Sequence, residues 1–241
     1  MKIYSCKTKD VAQLNDQIYR IRIIPDDIQL LDFKGGQYIL LHMPNGDPVP
    51  LSIASSPGQK KYLELHIRLM HTPSLAEDMI NLFKRSESVN VEGAFGDCYL
   101  KEGDKDIVII AGGTGFSPMK SLIESAFSKS EQRQIDLFLG AQNISGLYQE
   151  ELINQWKIKH KNFNYVPVIS DENSGWDGAT GFPHEAAITQ FQNEINEREI
   201  FIGGSEVMVM AVYRALLDEG VSKEQIHSDI LDIKRECGEI D

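Results

Sequence analysis

The chain has 241 residues, room for one large domain or two ordinary ones, with 41% hydrophobic and 25% charged residues. Its 36 acids against 24 bases leave a formal net charge of −12, which argues against a nucleic-acid partner and against a polybasic membrane patch. MKIYSCKTKD turns polar too soon for a signal peptide, no window approaches the roughly 18 apolar residues of a membrane helix, and Cys6, Cys98 and Cys237 are too few for a disulfide framework or an iron–sulfur cluster, so a cytoplasmic protein is expected.

The first hundred residues read as short strands. In IYRIRII, Tyr19, Ile21 and Ile23 alternate with Arg20 and Arg22. YLELHIRLM repeats the pattern, with Leu63, Leu65, Ile67 and Leu69 on one face and Glu64, His66 and Arg68 on the other. Gly35-Gly36, Asn45-Gly46-Asp47-Pro48 and Pro57-Gly58 supply turn chemistry between them. Leu75, Met79, Leu82 and Phe83 have helical spacing, with Ser74 or Thr72 available as N-cap. Strands at this spacing predict a small antiparallel barrel.

From about residue 104 the rhythm changes. DIVIIAG is a continuous apolar run, as in a strand buried on both faces. Helix, strand (IDLFLGA), helix (147–159), strand (NYVPVIS), strand (REIFIGG) and helix (206–219) follow, and QIHSDILDI reads as a last strand. This alternation predicts a parallel sheet. The expected division is an N-terminal barrel, 1–103, and a Rossmann-like α/β domain, 104–241.

The stretch IIAGGTGFSP, residues 109–118, joins the apolar strand to its helix, where α/β sheets bind ligands. Glycines there permit positive φ and close approach of a ligand, and the helix N-terminus favours an anion. Ser117 is the expected cap, and Pro118 suits a first turn where its missing N–H costs nothing. A P-loop is excluded, because Thr114 and Met119 stand where its glycines are required. The acid that a standard dinucleotide fold places after its second strand is replaced by Gln142 and Asn143.

Taken together, the barrel pattern, AGGTGFSP, VPLSIASSP (49–57), GAFGDCYL (93–100), FLGAQNISGLYQEEL and FIGGSEVMVMAVYRAL resemble the ferredoxin–NADP+ reductase superfamily. Within it they are similar to bacterial NAD(P)H–flavin oxidoreductases, including those associated with bioluminescence. The resemblance covers nearly the whole chain and implies hydride transfer from NAD(P)H to a flavin (riboflavin, FMN or FAD). It implies that Pro50, Leu51, Ser52 and Ile53 lie along the flavin ring, with the Ser52 hydroxyl near the reacting nitrogen as the catalytic group, and that His66 and Ile67 line the same groove. Gly112, Gly113, Thr114, Gly115 and Phe116 would cradle the pyridine nucleotide, with Gly204 and Met208 beside the nicotinamide. A flavin-dependent oxygenase would receive the reduced flavin. The runner-up activities are the reductase component of a multicomponent oxygenase and a non-catalytic electron-transfer subunit.

Three departures qualify this. Val49 replaces the family's phosphate-binding arginine, so flavin should be held loosely and with little preference for phosphorylated forms, unless Arg68 or another base substitutes. Gln142 offers no charge to a 2′-phosphate, which leans the coenzyme toward NADH. Gly203-Gly204-Ser205 lacks the family's thiol. Outside the resemblance, the six histidines show no metal-ligand spacing, and His66 reads as a polar residue on an open strand face. His227-Ser228-Asp229 lacks a nucleophile elbow and is set aside as a hydrolase triad, with Asp229 taken as a strand-edge carboxylate.

Overall fold

Period-2 alternation builds the first half of the chain. The computed structural model describes residues 2–27, 31–44, 46–171 and 174–240. Strands β1 (Ile3–Gln13), β2 (Ile18–Pro25), β3 (Tyr38–Leu41), β4 (Val49–Ser52), β5 (Leu63–Arg68) and β6 (Ser88–Phe95) form one antiparallel sheet in the order β4-β3-β6-β1-β2-β5. A bridge between Ile53 and Leu65 brings its two edges together, so the sheet curls on itself. Inward-facing Ile21, Ile23, Ile39, Leu41, Leu63 and Leu65 are buried in its core, to which helix α1 (Leu75–Arg85) adds Met79, Ile80 and Phe83. Of the two expected caps, Ser74 is the one used: its hydroxyl accepts from the Glu77 N–H at 3.2 Å.

The second half is layered. Strands β7 (Ile107–Gly112), β8 (Ile135–Ala141), β9 (Phe163–Ile169), β10 (Ala179–Thr180), β11 (Glu199–Gly203) and β12 (Ile226–His227) make a parallel sheet ordered β10-β9-β8-β7-β11-β12. The apolar run of β7 is buried on both faces as its sequence predicts. Ile107, Ile109 and Ala111 pack beneath helices α2 (Phe116–Ser128) and α3 (Glu150–Lys159), whereas Val108 and Ile110 pack beneath α4 (Pro183–Phe191) and α5 (Glu206–Asp218). Ile18 and Cys98, from the first half, belong to the α2/α3 core, so the halves share a hydrophobic seam. None of the helices among the described residues is long and apolar enough to cross a membrane.

The expected last strand is mostly a helix. Only Ile226 and His227 pair, with Ile200 and Phe201, and helix α6 (Asp229–Glu236) takes the rest. Ile230, Leu231 and Ile233 mimic a strand run, but only Leu231 is fully buried and Ile233 is exposed, as on an amphipathic helix. Strand β10 and helix α4 are not signalled by the sequence pattern.

Candidate active site

Strand β7 lies between β8 and β11, and the chain leaves its end toward one face of the sheet while β11 feeds the other, which makes a topological switch point. A crevice of about 730 Å³ opens there. Its sheet-side wall includes Gly113, Gln142, Ser170 and Met208, and its barrel-side wall includes Gln17 and Arg68.

The glycines earn their place largely through internal packing. Gly113 has φ +54° and needs glycine's freedom. Gly115, with an ordinary φ, abuts the turn after β11: a Cβ there would fall 2.2 Å from the Gly203 carbonyl carbon and the Gly204 nitrogen. The Met208 sulfur lies against both Gly112 and Gly204, so the structure brings these three residues together. Phe116 is fully buried in the α2/α3 core and takes no part in the wall. Gly115, in place of the expected Ser117, is the N-cap of α2. Ser117 lies within the first turn, its buried hydroxyl beside that of Tyr148. Pro118 occupies that same first turn, where it removes no hydrogen bond.

The outward face of β5 is not open. Glu64, His66 and Arg68 all meet the second half of the chain, which corrects the open-face reading of His66. The His66 side chain is 0% exposed, with Nδ1 3.1 Å from the Tyr148 hydroxyl and Nε2 3.2 Å from Glu64 Oε1. Glu64 also meets Arg22 Nε at 3.0 Å and Lys120 Nζ at 3.4 Å. Burial opposes its ionisation, but the hydrogen bond from His66 and the charge of Lys120 hold its carboxyl well below the usual carboxylate range. Arg68 is exposed and held by the Gln17 amide oxygen at 3.1 and 2.8 Å, with its guanidinium beside Gly113. A cation at a glycine turn and a helix N-terminus suits a pyrophosphate. The alternation of β5 put Arg68 on the same face as His66, but only the docking of the two halves turns that face toward the glycines.

The remaining candidates divide. Leu51, Ile53 and Ile67 are buried in the barrel core, so any contact they make with a ring is through backbone. Ser52 pairs with Tyr38, which puts both half-buried side chains on the outer face of the barrel. Pro50 is exposed and borders a second groove, of about 830 Å³, between the β3–β4 hairpin and α1. Val49 lines it too, and its charges are Asp47, Asp78 and Arg85. Ser52 lines neither cavity. Immediately after β4, the Ala54 and Ser55 carbonyls accept from Lys120 Nζ (3.1 Å) and Ser121 Oγ (2.7 Å) on α2, so this strand end abuts the helix that the glycine turn begins. Asp229 sits at the start of α6 near Gly96 and Tyr38, with Oδ1 buried and without a hydrogen-bond partner among the described residues. Burial, then the charge of Asp232, pushes its carboxyl up to about 7, opposed by the Cys98 N–H.

Comparison with known proteins agrees with this fold. The family model described as "Oxidoreductase NAD-binding domain" matches residues 109–214. The CDP-6-deoxy-L-threo-D-glycero-4-hexulose-3-dehydrase reductase of Yersinia pestis is 32% identical over 228 residues, covering 95% of this chain and 68% of that protein. A probable flavin reductase of Photobacterium leiognathi is 32% identical over 206 residues, covering 84% of this chain and 86% of its own length. Among solved structures, the Amycolatopsis cytochrome P450 reductase GcoB superimposes with a TM-score of 0.85 at 25% identity, over 95% of this chain and 69% of that one. The ferredoxin–NADP+ reductase of Plasmodium falciparum shares the fold, with a TM-score of 0.74 at 19% identity over 94% and 95% of the two chains. With an antiparallel barrel docked on a parallel sheet and a glycine turn at the switch point between them, this chain has the fold of the ferredoxin–NADP+ reductases and belongs to the family of NAD-binding oxidoreductases that includes the Yersinia and Photobacterium reductases.

Proposed function

We propose that the chain is an NAD(P)H-dependent flavin reductase, residues 1–103 receiving the flavin and 104–241 the coenzyme, which releases reduced flavin to a separate acceptor such as a flavin-dependent oxygenase. The observation that carries this reading is the crevice, where a barrel cation, Arg68, faces the glycine turn that begins α2. Two parts of a dinucleotide have a counterpart there: charge at Arg68 for the pyrophosphate at its centre, and Met208, whose sulfur packs on Gly112 and Gly204, for the nicotinamide at one end.

Flavin supplies the redox chemistry when bound, and the protein contributes position and polarity. Pro50 and Ser52 are the residues offered to its ring, from a strand end held against α2. Ser52 can give or take one hydrogen bond without bulk. Val49 has no charge, and the adjoining groove sets one arginine against two aspartates. Such a groove fits an uncharged ribityl tail better than a phosphate, which supports loose binding of flavin as a substrate. Gln142, exposed on the crevice wall, has neither the cation for a 2′-phosphate nor the acid for a ribose, so NADH is modestly preferred.

The test is to mix purified protein with NADH and riboflavin, FMN or FAD and follow loss of the NADH absorbance. Rapid oxidation that depends on free flavin supports the reading. A second reading, reductase component of a multicomponent system, draws on relatives such as the terephthalate 1,2-dioxygenase reductase component 1 of Comamonas sp, 32% identical over 201 residues, 82% of this chain and 59% of that protein. It predicts turnover only with a protein acceptor. Binding without turnover would point to a non-catalytic electron-transfer subunit, and tightly retained flavin would overturn the loose-binding part.

A further inference from the structure

Hydride transfer makes no evident use of the polar groups buried where the two halves meet. Alternate residues of β5 lie about 6.7 Å apart on one face, and three in succession cross the boundary: Glu64 to Lys120, His66 to Tyr148 and Arg68 to Gly113. Tyr148 lies two residues beyond the 143–146 segment, whose Asn143, Ser145 and Gly146 wall the coenzyme crevice, while Arg68 walls it from the barrel. The Tyr148–His66 contact therefore ties the two walls together. Another tie near the mouth, Asn15 to the Ser145 carbonyl, is exposed and competes with water. Tyr148–His66 is dry, with Tyr148 3% exposed.

Its protonation state follows from its neighbours. The charged or titratable groups acting on His66 are Glu64, Lys120 and Arg20, with the Tyr148 hydroxyl on its other nitrogen. The ionised Glu64 carboxylate accepts from Nε2, which leaves Nδ1 to accept the Tyr148 O–H. Burial then keeps the ring neutral.

We propose that the Tyr148–His66 hydrogen bond is a registration latch: it fixes the barrel against the parallel sheet so that Arg68 stands over the glycine turn. His66 and Tyr148 are positioning residues, and they govern coenzyme affinity through Arg68. This rests on the reading of the crevice as the NAD(P)H site.

The test variant is Tyr148→Phe, which removes one hydroxyl and keeps the ring packed on Phe116. We expect KM for NADH to rise about tenfold, the weight of one buried hydrogen bond, with kcat within about twofold. Added to Arg68→Ala, Tyr148→Phe should change KM little further, since the latch acts through that arginine. His66→Asn puts an amide where Nδ1 was and should keep KM near the parent's, whereas His66→Gln, whose amide takes the Nε2 position, should not. Amide hydrogen exchange without nucleotide should accelerate together in residues 66–70 and 143–148 of Tyr148→Phe. Unchanged KM with unchanged exchange, or KM effects that multiply with Arg68→Ala, would overturn the latch. If the parent protein shows no affinity for NADH, the coenzyme reading fails, and the exchange measurement still decides whether the halves are latched.

Discussion

Asp229→Asn should stabilise the protein at neutral pH, because the native carboxylate is buried without adequate partners. The Asp229 carboxyl is pushed from 3.8 up to about 7, first by burial and then by Asp232, with only the Cys98 N–H opposing. At about 1.4 kcal/mol per unit, a rise of about 3 units corresponds to about 4 kcal/mol. Residual solvent access and the favourable N-terminus of α6 reduce the effect on stability to about 2 kcal/mol. The folded form binds this proton more tightly than the unfolded form. Its contribution is therefore fully present below the unfolded value near 4 and is lost as pH rises through about 7. Asparagine keeps an oxygen for the Cys98 N–H and carries no charge. Urea unfolding of parent and variant, without flavin, at about pH 8, 6 and 4.5 is the assay. The variant should be more stable by about 2 kcal/mol at the highest pH, with the gap closing toward the lowest. His66 and Glu64 lose stability in the opposite direction as pH falls, His66 below its unfolded value near 6.5 and Glu64 below 4.5, but both proteins share that loss and it cancels in the difference. A gap that does not vary with pH, or a variant less stable at pH 8, would refute the account.

Other perturbations test other parts of the structure. Gly115→Ala should cost about 3 kcal/mol or more, or abolish soluble expression, because its Cβ would strike the Gly203–Gly204 backbone at 2.2 Å; chemical denaturation reads the loss. Val49→Arg should tighten FMN and FAD about tenfold relative to riboflavin, measured as the ratio of their KM values, and an unchanged ratio would place the phosphate elsewhere. Gln142→Arg should raise kcat/KM for NADPH relative to NADH by about tenfold or more, and that gain should shrink with added salt. Ser74→Ala should cost about 1 kcal/mol of stability through loss of the α1 cap, with kcat unaffected.

The local grammar of this protein is legible in its sequence. Alternation in β2 and β5 and the unbroken apolar run of β7 specify which kind of sheet each half builds, because side-chain period and burial are coupled along a strand. The glycine turn and its helix follow from residue type alone. The α6 segment misled because three isoleucine or leucine residues within four positions satisfy a strand and a helix face alike, and packing on the tertiary core chose the helix. His66 is the plainest case of what sequence could not reach. Alternation gave it a face, and water was the default occupant of that face until a tyrosine 82 residues away closed over it. Likewise Arg68 joined the crevice, and Gly115 became indispensable, only through contacts between segments distant in the chain. Periodicity reports which side of an element is apolar. What stands opposite that side is decided by docking, and at this site docking is what turns a strand arginine toward a glycine turn.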